Sequence, residues 1–160
     1  LDPDLRATRM FNDVIVSNGI AFSPRDERMY FADSRREIVY CFDFDVEKGE
    51  IANRRIFIDF KGGRGRADGA TVDRDGNYWC ALIFGGAIGC FDPKGRLIER
   101  IELPVTHPTM CTFGGKDLDI LYVTSTTYFL DDIESEPEAG ALFAITGLGA
   151  RGVPEPIFAG

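Results

Sequence analysis

The chain has 160 residues, the size of one domain, and 44% of them are hydrophobic, including 13 phenylalanines. A chain of this composition can bury a sizeable core, which excludes a disordered protein. The formal net charge is −8, and no cluster of Lys and Arg offsets it, so phosphate backbones would repel the chain. We therefore expect no nucleic-acid partner. No apolar run approaches the roughly 18 residues of a membrane span, so we expect no membrane partner either.

The opening segment, residues 1–17, contains a short apolar run at Met10 and Phe11 with no partner run before it. We interpret this segment as the tail of a preceding structural unit. After it, the apolar residues come in short runs rich in β-branched and aromatic side chains, separated by Gly, Pro and Asp. No long window shows helical spacing, so the pattern predicts β-strands.

The strand-like runs repeat as a unit of four. The first run of a unit begins at Asn18 and again at Asp68, and more loosely at Thr109. The third run gives the clearest match, with Cys41-Phe42-Asp43 repeated as Cys90-Phe91-Asp92. Four-strand units of roughly 40–50 residues are typical of β-propeller blades.

The repeat predicts an all-β fold in which residues 1–160 form a single domain of about three blades, starting near residues 18, 68 and 109. Propellers close around a central channel with about four to eight blades. We therefore expect either a missing N-terminal half or a second copy of the chain to complete the ring. Without such a partner, the outer faces of the end blades would be exposed.

The four cysteines, at positions 41, 80, 90 and 111, each lie inside an apolar run, and none forms a C-x-x-C pair. This predicts buried free thiols in a reducing compartment, and hence a cytoplasmic protein. The one histidine, His107, has no G-x-S-x-G motif to accompany it, which argues against a Ser-His-Asp triad.

The chain resembles the gluconolactonase, regucalcin and luciferin-regenerating enzyme family over nearly its whole length. The strings that carry the resemblance occur in the family's order and spacing. They are Ser17–Pro24, Tyr30–Ser34, Ala67–Gly69, Val72–Asp73, Gly76–Trp79, Phe113–Gly115, Leu121–Ser125, Pro137–Gly140, Ile145–Gly149 and Phe158–Gly160. The resemblance implies a six-bladed β-propeller, of which this chain supplies the C-terminal half.

The resemblance also implies a metal site and an activity. In the family, one divalent cation on the propeller axis is held by a Glu, an Asn and an Asp. Here the Asn corresponds to Asn18 and the Asp to Asp68, although Ala67 stands where the family has Pro. The Glu and the sugar-contacting residues have no counterpart, so the substrate-binding residues remain unknown. The implied reaction is hydrolysis of a sugar lactone, with Asp68 as catalytic general base.

The residues themselves are compatible with this assignment. Asn-Gly and Asp-Gly are turn dipeptides, but those at Asn18 and Asp68 open strands at the same point of neighbouring units. First strands line the channel of a propeller, so both side chains should converge at one of its mouths. An amide oxygen with a carboxylate suits Ca²⁺, Mg²⁺ or Mn²⁺ and tolerates Zn²⁺. The Asp-Gly at Asp75 fits a hairpin turn instead.

Two other functions remain open: a calcium-binding regulator without catalysis, and a related propeller that hydrolyses other esters or phosphotriesters. Phe84–Gly86 and residues 126–138 join strands on the same face as Asn18, so we interpret them as pocket walls or a lid. Arg35-Arg36 is interpreted as solvated surface. Trp79 is interpreted as part of the core.

Overall fold

The computed structural model describes residues 7–155, which form three antiparallel sheets. The first sheet consists of β1 (Ser17–Phe22), β2 (Arg28–Asp33), β3 (Ile38–Asp45) and β4 (Glu50–Asp59). The second consists of β5 (Arg66–Val72), β6 (Tyr78–Ile83), β7 (Ala87–Phe91) and β8 (Leu97–Glu102). The third consists of β9 (Pro108–Gly114), β10 (Ile120–Ser125) and β11 (Leu142–Ile145).

Within each sheet, the strands are hydrogen-bonded in chain order, so each sheet is a simple meander. A single turn of 3₁₀ helix, Ile133–Ser135, lies between β10 and β11, and no α-helix occurs among residues 7–155. The predicted all-β fold is confirmed. Residues 1–6 of the predicted tail and the Phe158–Gly160 string lie outside the described residues, while residues 7–16 form no strand.

Two hairpin turns of the second sheet are built from the same D-x-x-G pattern. Oδ1 of Asp73 accepts hydrogen bonds from the backbone N–H groups of Asp75 and Asn77, at 3.0 and 2.8 Å. Oδ1 of Asp92 accepts from the N–H groups two and four residues further on in the same way, at 2.9 and 3.0 Å. The glycine that ends each turn, Gly76 or Gly95, has a positive φ of 85° or 79°. Side-chain capping and a glycine in the left-handed region therefore fix both turns.

The second sheet forms the centre of the structure. Every residue of β6 and β7 is buried, because the first sheet packs on one face and the third sheet on the other. Strands buried on both faces have nearly continuous apolar sequences rather than alternating ones, and Tyr78–Ile83 has this character. Trp79 is buried in the core shared with the third sheet, as predicted.

All four cysteines are free and buried, which confirms the prediction of buried thiols. Burial raises the pKa of Cys90 and of Cys111 to about 12. These thiols are therefore neutral and unreactive at physiological pH. The cytoplasmic compartment inferred from them stays a prediction. No helix among residues 7–155 has the length and hydropathy needed to cross a membrane.

Candidate functional site

The first strands of the three sheets lie side by side, with β5 in contact with β1 on one side and β9 on the other. Asn18 lies on β1 and Asp68 on β5, and the pairing of each strand is interrupted at this point. The register with the neighbouring strand shifts between Asn18 and Ala21, and again between Ala67 and Ala70. A bulge of this kind redirects a side chain away from the regular pleat. The structure brings the two predicted residues together: Nδ2 of Asn18 donates a hydrogen bond to Oδ1 of Asp68.

The glycines that follow these two residues allow the strands to approach so closely. At Gly69, a Cβ atom would lie 2.8 Å from Cα of Met110 and 2.8 Å from the carbonyl oxygen of Thr109, both on β9. At Gly19, it would lie 2.8 Å from the carbonyl oxygen of Asp68. Backbone atoms cannot move aside as a flexible side chain can. The N-G and D-G dipeptides therefore serve close packing of channel strands, rather than hairpin turns.

The carboxylate of Asp68 is half-buried and under-partnered. Burial raises its pKa to about 6, against the opposing effect of the hydrogen bond from Asn18. That amide is the sole hydrogen-bond donor to the carboxylate among residues 7–155. A buried carboxylate with so few donors is a recognised mark of a functional site. No group of three or more His, Cys, Asp or Glu residues able to hold a metal occurs among the residues described.

Asn18 and Asp68 line a cavity of about 540 Å³. Its walls include Phe84 and, from the segment after β10, Thr126, Tyr128 and Phe129. Each of the two predicted segments thus contributes to the cavity wall, though only through these four residues, while the idea of a moving lid stays a prediction. The remaining lining residues are Val16, Ser34, Arg35, Arg66, Ile83 and Thr109.

Two arginines in this lining were not identified from the sequence. Arg66 has a recognisable signal, because it precedes Asp68 by two positions on β5, and alternate residues of a strand share a face. Arg35 is exposed, as predicted, and it also contributes to the cavity wall, which the sequence did not indicate. Arg36 points elsewhere, with its guanidinium 3.5 Å from the carboxylate of Asp33.

The segment between β10 and β11 is tied down at its far end by Glu136. Its carboxylate accepts hydrogen bonds from N and Oγ1 of Thr106, at 2.8 and 2.6 Å, and these bonds lower its pKa. His107 is buried beside this contact, and its ring packs against those of Phe84 and Phe129, which also contact each other. The histidine therefore supports the aromatic wall of the cavity and does not line it.

The class of protein is defined by an all-β fold of antiparallel sheets whose first strands bring a polar pair, Asn18 and Asp68, to one cavity. Residues 1–127 match the family described as SMP-30/Gluconolactonase/LRE-like region, and the chain belongs to this family. It is 39% identical to a 6-deoxy-6-sulfogluconolactonase of Pseudomonas putida and 36% identical to regucalcin of Danio rerio, over its full length in both cases. Each match covers 55% of the relative.

Among solved structures, the chain is similar to a calcium-binding protein, regucalcin, from Agrobacterium tumefaciens. The TM-score is 0.89 at 33% identity, over 94% of this chain and 52% of the other. The chain thus spans about half the length of the relatives it matches. The predicted fold class, a propeller of which this chain supplies about half, is confirmed.

Proposed function

We propose that this chain forms half of the active site of a metal-dependent hydrolase that opens sugar lactones. The observation that carries the proposal is the pair formed by Asn18 and Asp68 at the wall of a cavity large enough for a monosaccharide. The membership of this chain in a family that includes gluconolactonases supports the same reaction class. Lactone hydrolysis needs a polar centre that can position water and move a proton, next to a surface that holds a sugar.

The donor chemistry of the pair fits a divalent cation. An amide oxygen and a carboxylate are hard ligands, suited to Ca²⁺, Mg²⁺ or Mn²⁺ and acceptable to Zn²⁺. Asp68 lacks enough hydrogen-bond donors to balance its charge, and a cation would supply that balance. When bound, the cation supplies positive charge that stabilises the oxyanion of the reaction. Asn18 and Asp68 would hold it, leaving further positions open.

Asp68 is also suited to moving the proton. As the oxygen of a water molecule bonds to the lactone carbonyl carbon, the carboxylate takes the proton that this water loses. The bond between the carbonyl carbon and the ring oxygen then breaks, and the ring oxygen receives that proton as a hydroxyl. A carboxylate that also binds a cation is held ionised and is a weaker base, but water beside a cation loses its proton more readily, so Asp68 need only accept a proton that is already loosened.

The aromatic wall supports a carbohydrate substrate. Tyr128 is 84% exposed, and its ring packs edge-on against that of Phe129, with the ring centroids 5.0 Å apart. An exposed, well-supported aromatic face offers apolar contact to the C–H face of a sugar ring. The sequence left the sugar-contacting residues unassigned, and we propose Tyr128 as one of them.

We further propose that additional blades, from an N-terminal half of the protein or from a second copy, complete the ring and supply the remaining ligands. Two facts support this: among the described residues, those that line the cavity include no carboxylate besides Asp68, and the relatives are about twice as long. Sedimentation would show self-association of the 160-residue chain, or its binding to the N-terminal half of a relative. A monomer with full lactonase activity would contradict the proposal.

The test uses the complete protein that carries this chain. Asp68→Asn keeps the shape of the side chain but removes its charge, so we expect a fall in lactonase kcat/KM of about 1,000-fold, and Asn18→Ala should cause a smaller one. Calorimetric titration with Ca²⁺, Mg²⁺, Mn²⁺ and Zn²⁺ should show weakened binding in both variants. Asp75→Asn, which removes an equal charge from an exposed hairpin, is the matched control.

The same measurements distinguish the lactonase from a second candidate function. The Agrobacterium relative is described as a calcium-binding protein, which favours a regulator that binds the cation without catalysis. In that case the wild-type protein would bind Ca²⁺ through Asn18 and Asp68, yet hydrolyse no lactone at any cation concentration. Unchanged cation affinity and unchanged rate in Asp68→Asn would contradict the assignment of Asp68 to the site.

A further inference from the structure

The charge of the cavity wall is opposite to that of the chain. The chain carries a formal net charge of −8, but the described residues that line the cavity include two arginines, Arg35 and Arg66, and one carboxylate, Asp68. Guanidinium groups beside a concave, half-apolar surface attract oxyanions, and they do so more strongly than in bulk water. The lining of this cavity therefore carries a net positive charge on a protein that is negative as a whole. Glu37, which pairs with Arg66, lies outside that lining.

Arg66 is held in a fixed orientation. Its Nε donates to Oε1 of Glu37 at 3.1 Å, and its guanidinium carbon lies 5.3 Å from the centre of the Phe84 ring. Among residues 7–155, the two terminal nitrogens of this guanidinium have no hydrogen-bond partner. An arginine supported at Nε and on one face presents its remaining N–H groups as a preorganised fork for a planar or tetrahedral oxyanion.

Both supports of Arg66 have a costly backbone conformation. Glu37 has a φ of 63° and Phe84 a φ of 62°, in the left-handed region that residues with a Cβ seldom adopt. Strained backbone of this kind persists where surrounding structure imposes it, and it is concentrated at functional sites. Here the strain is located at the two residues that hold Arg66.

Arg35 belongs to the turn between β2 and β3, and this turn is fastened to β5. The hydroxyl of Ser34, the preceding residue, donates to the carbonyl oxygen of Ala67 at 2.5 Å. That carbonyl immediately precedes Asp68 on β5, so the turn is anchored beside the candidate catalytic carboxylate. Arg35 itself is exposed and lines the cavity with Arg66.

We propose that the cavity selects a lactone that carries an oxyanion, such as a sulfonate, phosphate or carboxylate, at a position remote from the ring carbonyl. Arg66, assisted by Arg35, binds the oxyanion, while the lactone carbonyl lies at Asp68. This assignment of substrate class rests on the proposed lactonase function. The three anions share one recognition chemistry, and the experiment below distinguishes them.

The experiment compares kcat/KM of the complete protein for neutral glucono-δ-lactone with the values for three anionic lactones. These are the 6-phospho and 6-deoxy-6-sulfo derivatives and a glucaric acid lactone. We expect a preference of about ten-fold or more for at least one anionic lactone, in line with charge-assisted hydrogen bonds. The preference should shrink as NaCl is raised, since added salt screens partly exposed charges.

Substitutions then assign the preference to the arginines. In Arg66→Gln and in Arg35→Gln, the ratio of anionic to neutral kcat/KM should fall towards one, with the larger fall for Arg66. Arg66→Lys, which keeps the charge but loses the fork, should retain an intermediate ratio. Arg25→Gln removes the same charge from the exposed turn at the opposite end of β1, and its ratio should equal that of the wild type.

The outcomes separate this inference from the proposed function. If neutral and anionic lactones are hydrolysed equally well and Arg66→Gln leaves their ratio unchanged, the substrate class is wrong and the lactonase function stands. If no lactone is hydrolysed, the lactonase function fails, and calorimetry with 6-phosphogluconate and gluconate tests the arginines alone. Equal affinity for these two acids would overturn the inference, whereas tighter binding of the phosphate that is lost in Arg66→Gln would support it.

Discussion

One carboxylate lies near each end of strand β5, and the two differ in how many hydrogen-bond donors surround them. Asp73, directly after the last residue of the strand, is 1% exposed and accepts hydrogen bonds from four donors. The donors are the backbone N–H groups of Asp75 and Asn77, Nδ2 of Asn77, and Nε1 of Trp79. Asp68, near the start of the strand, has a single donor, from Asn18, and a pKa raised by burial to about 6.

The difference shows what each carboxylate can do. A buried charge whose lone pairs are all used stabilises the native state and has nothing left for a ligand. A buried charge with one donor destabilises the native state until a cation or a substrate supplies the missing partners. Asp73 therefore belongs to the architecture of the blade, whereas the surroundings of Asp68 are those expected of the binding residue that we propose it to be.

The largest effect should come from Asp73→Ala. The substitution leaves four donors without their acceptor, including the buried indole N–H of Trp79, so we expect the free energy of unfolding to fall by about 3 kcal/mol. Denaturant-induced unfolding would measure the loss. Asp75→Ala in the same turn is the control, since that side chain is exposed and should change stability by no more than about 0.5 kcal/mol. Equal losses in the two variants would contradict this view of Asp73.

The two glycines of β5 and its following turn offer a second comparison. Gly69→Ala places a Cβ 2.8 Å from Cα of Met110, so β5 and β9 must separate, and we expect a loss of about 2 kcal/mol together with loss of activity. At Gly76 a Cβ atom would have room, because the nearest atom, Cγ of Pro93, lies 3.5 Å away. The cost of Gly76→Ala therefore comes only from the positive φ of this residue. We expect a loss of about 1 kcal/mol there, with activity retained. Unfolding and rate measurements on both variants would decide the point.

The fold was predictable because its signals are local and repeated. Short apolar runs, the echo of Cys41–Asp43 in Cys90–Asp92, and the D-G turn at Asp75 all act over a few residues. The blades were predicted to start near residues 18, 68 and 109. The first strands of the three sheets begin at Ser17, Arg66 and Pro108. The treatment of the chain as a single domain, with residues 1–17 as the tail of an earlier blade, stays a prediction.

The site was predictable only in part. Asn18 and Asp68 could be paired, because both open strands at equivalent points of adjacent units. The role of Arg35 depends on contacts between sheets, which no local pattern records. Arg35-Arg36 is the plainest case: the two neighbours have the same sequence signal, yet one lines the cavity and the other pairs with Asp33. Only the geometry of the turn separates them.

The smallest expected effect in this comparison has a sign opposite to the others. Asp68→Asn should raise the free energy of unfolding of the metal-free protein by about 1 kcal/mol at pH 8, a figure reduced from the full pKa shift because the carboxyl is partly exposed. The pKa is raised from 3.8 to about 6, so the folded protein holds this proton more tightly than the unfolded chain does. The wild type therefore loses stability as the pH rises through that window, and the variant does not.

Urea unfolding of both proteins in chelator, from pH 4 to pH 8, would show this as two stability curves that lie close together near pH 4, diverge up to about pH 6 and stay separated above it. Adding Ca²⁺ should then stabilise the wild type and leave the variant unchanged, since a ligand that binds only the native state raises its stability by mass action. A variant that is less stable than the wild type in chelator at pH 8 would mean that Asp68, like Asp73, is a structural carboxylate. In that case the contrast between the two ends of β5 would be lost. Removing the charge of a buried carboxylate that has too few hydrogen-bond donors must raise the free energy of unfolding of the metal-free protein.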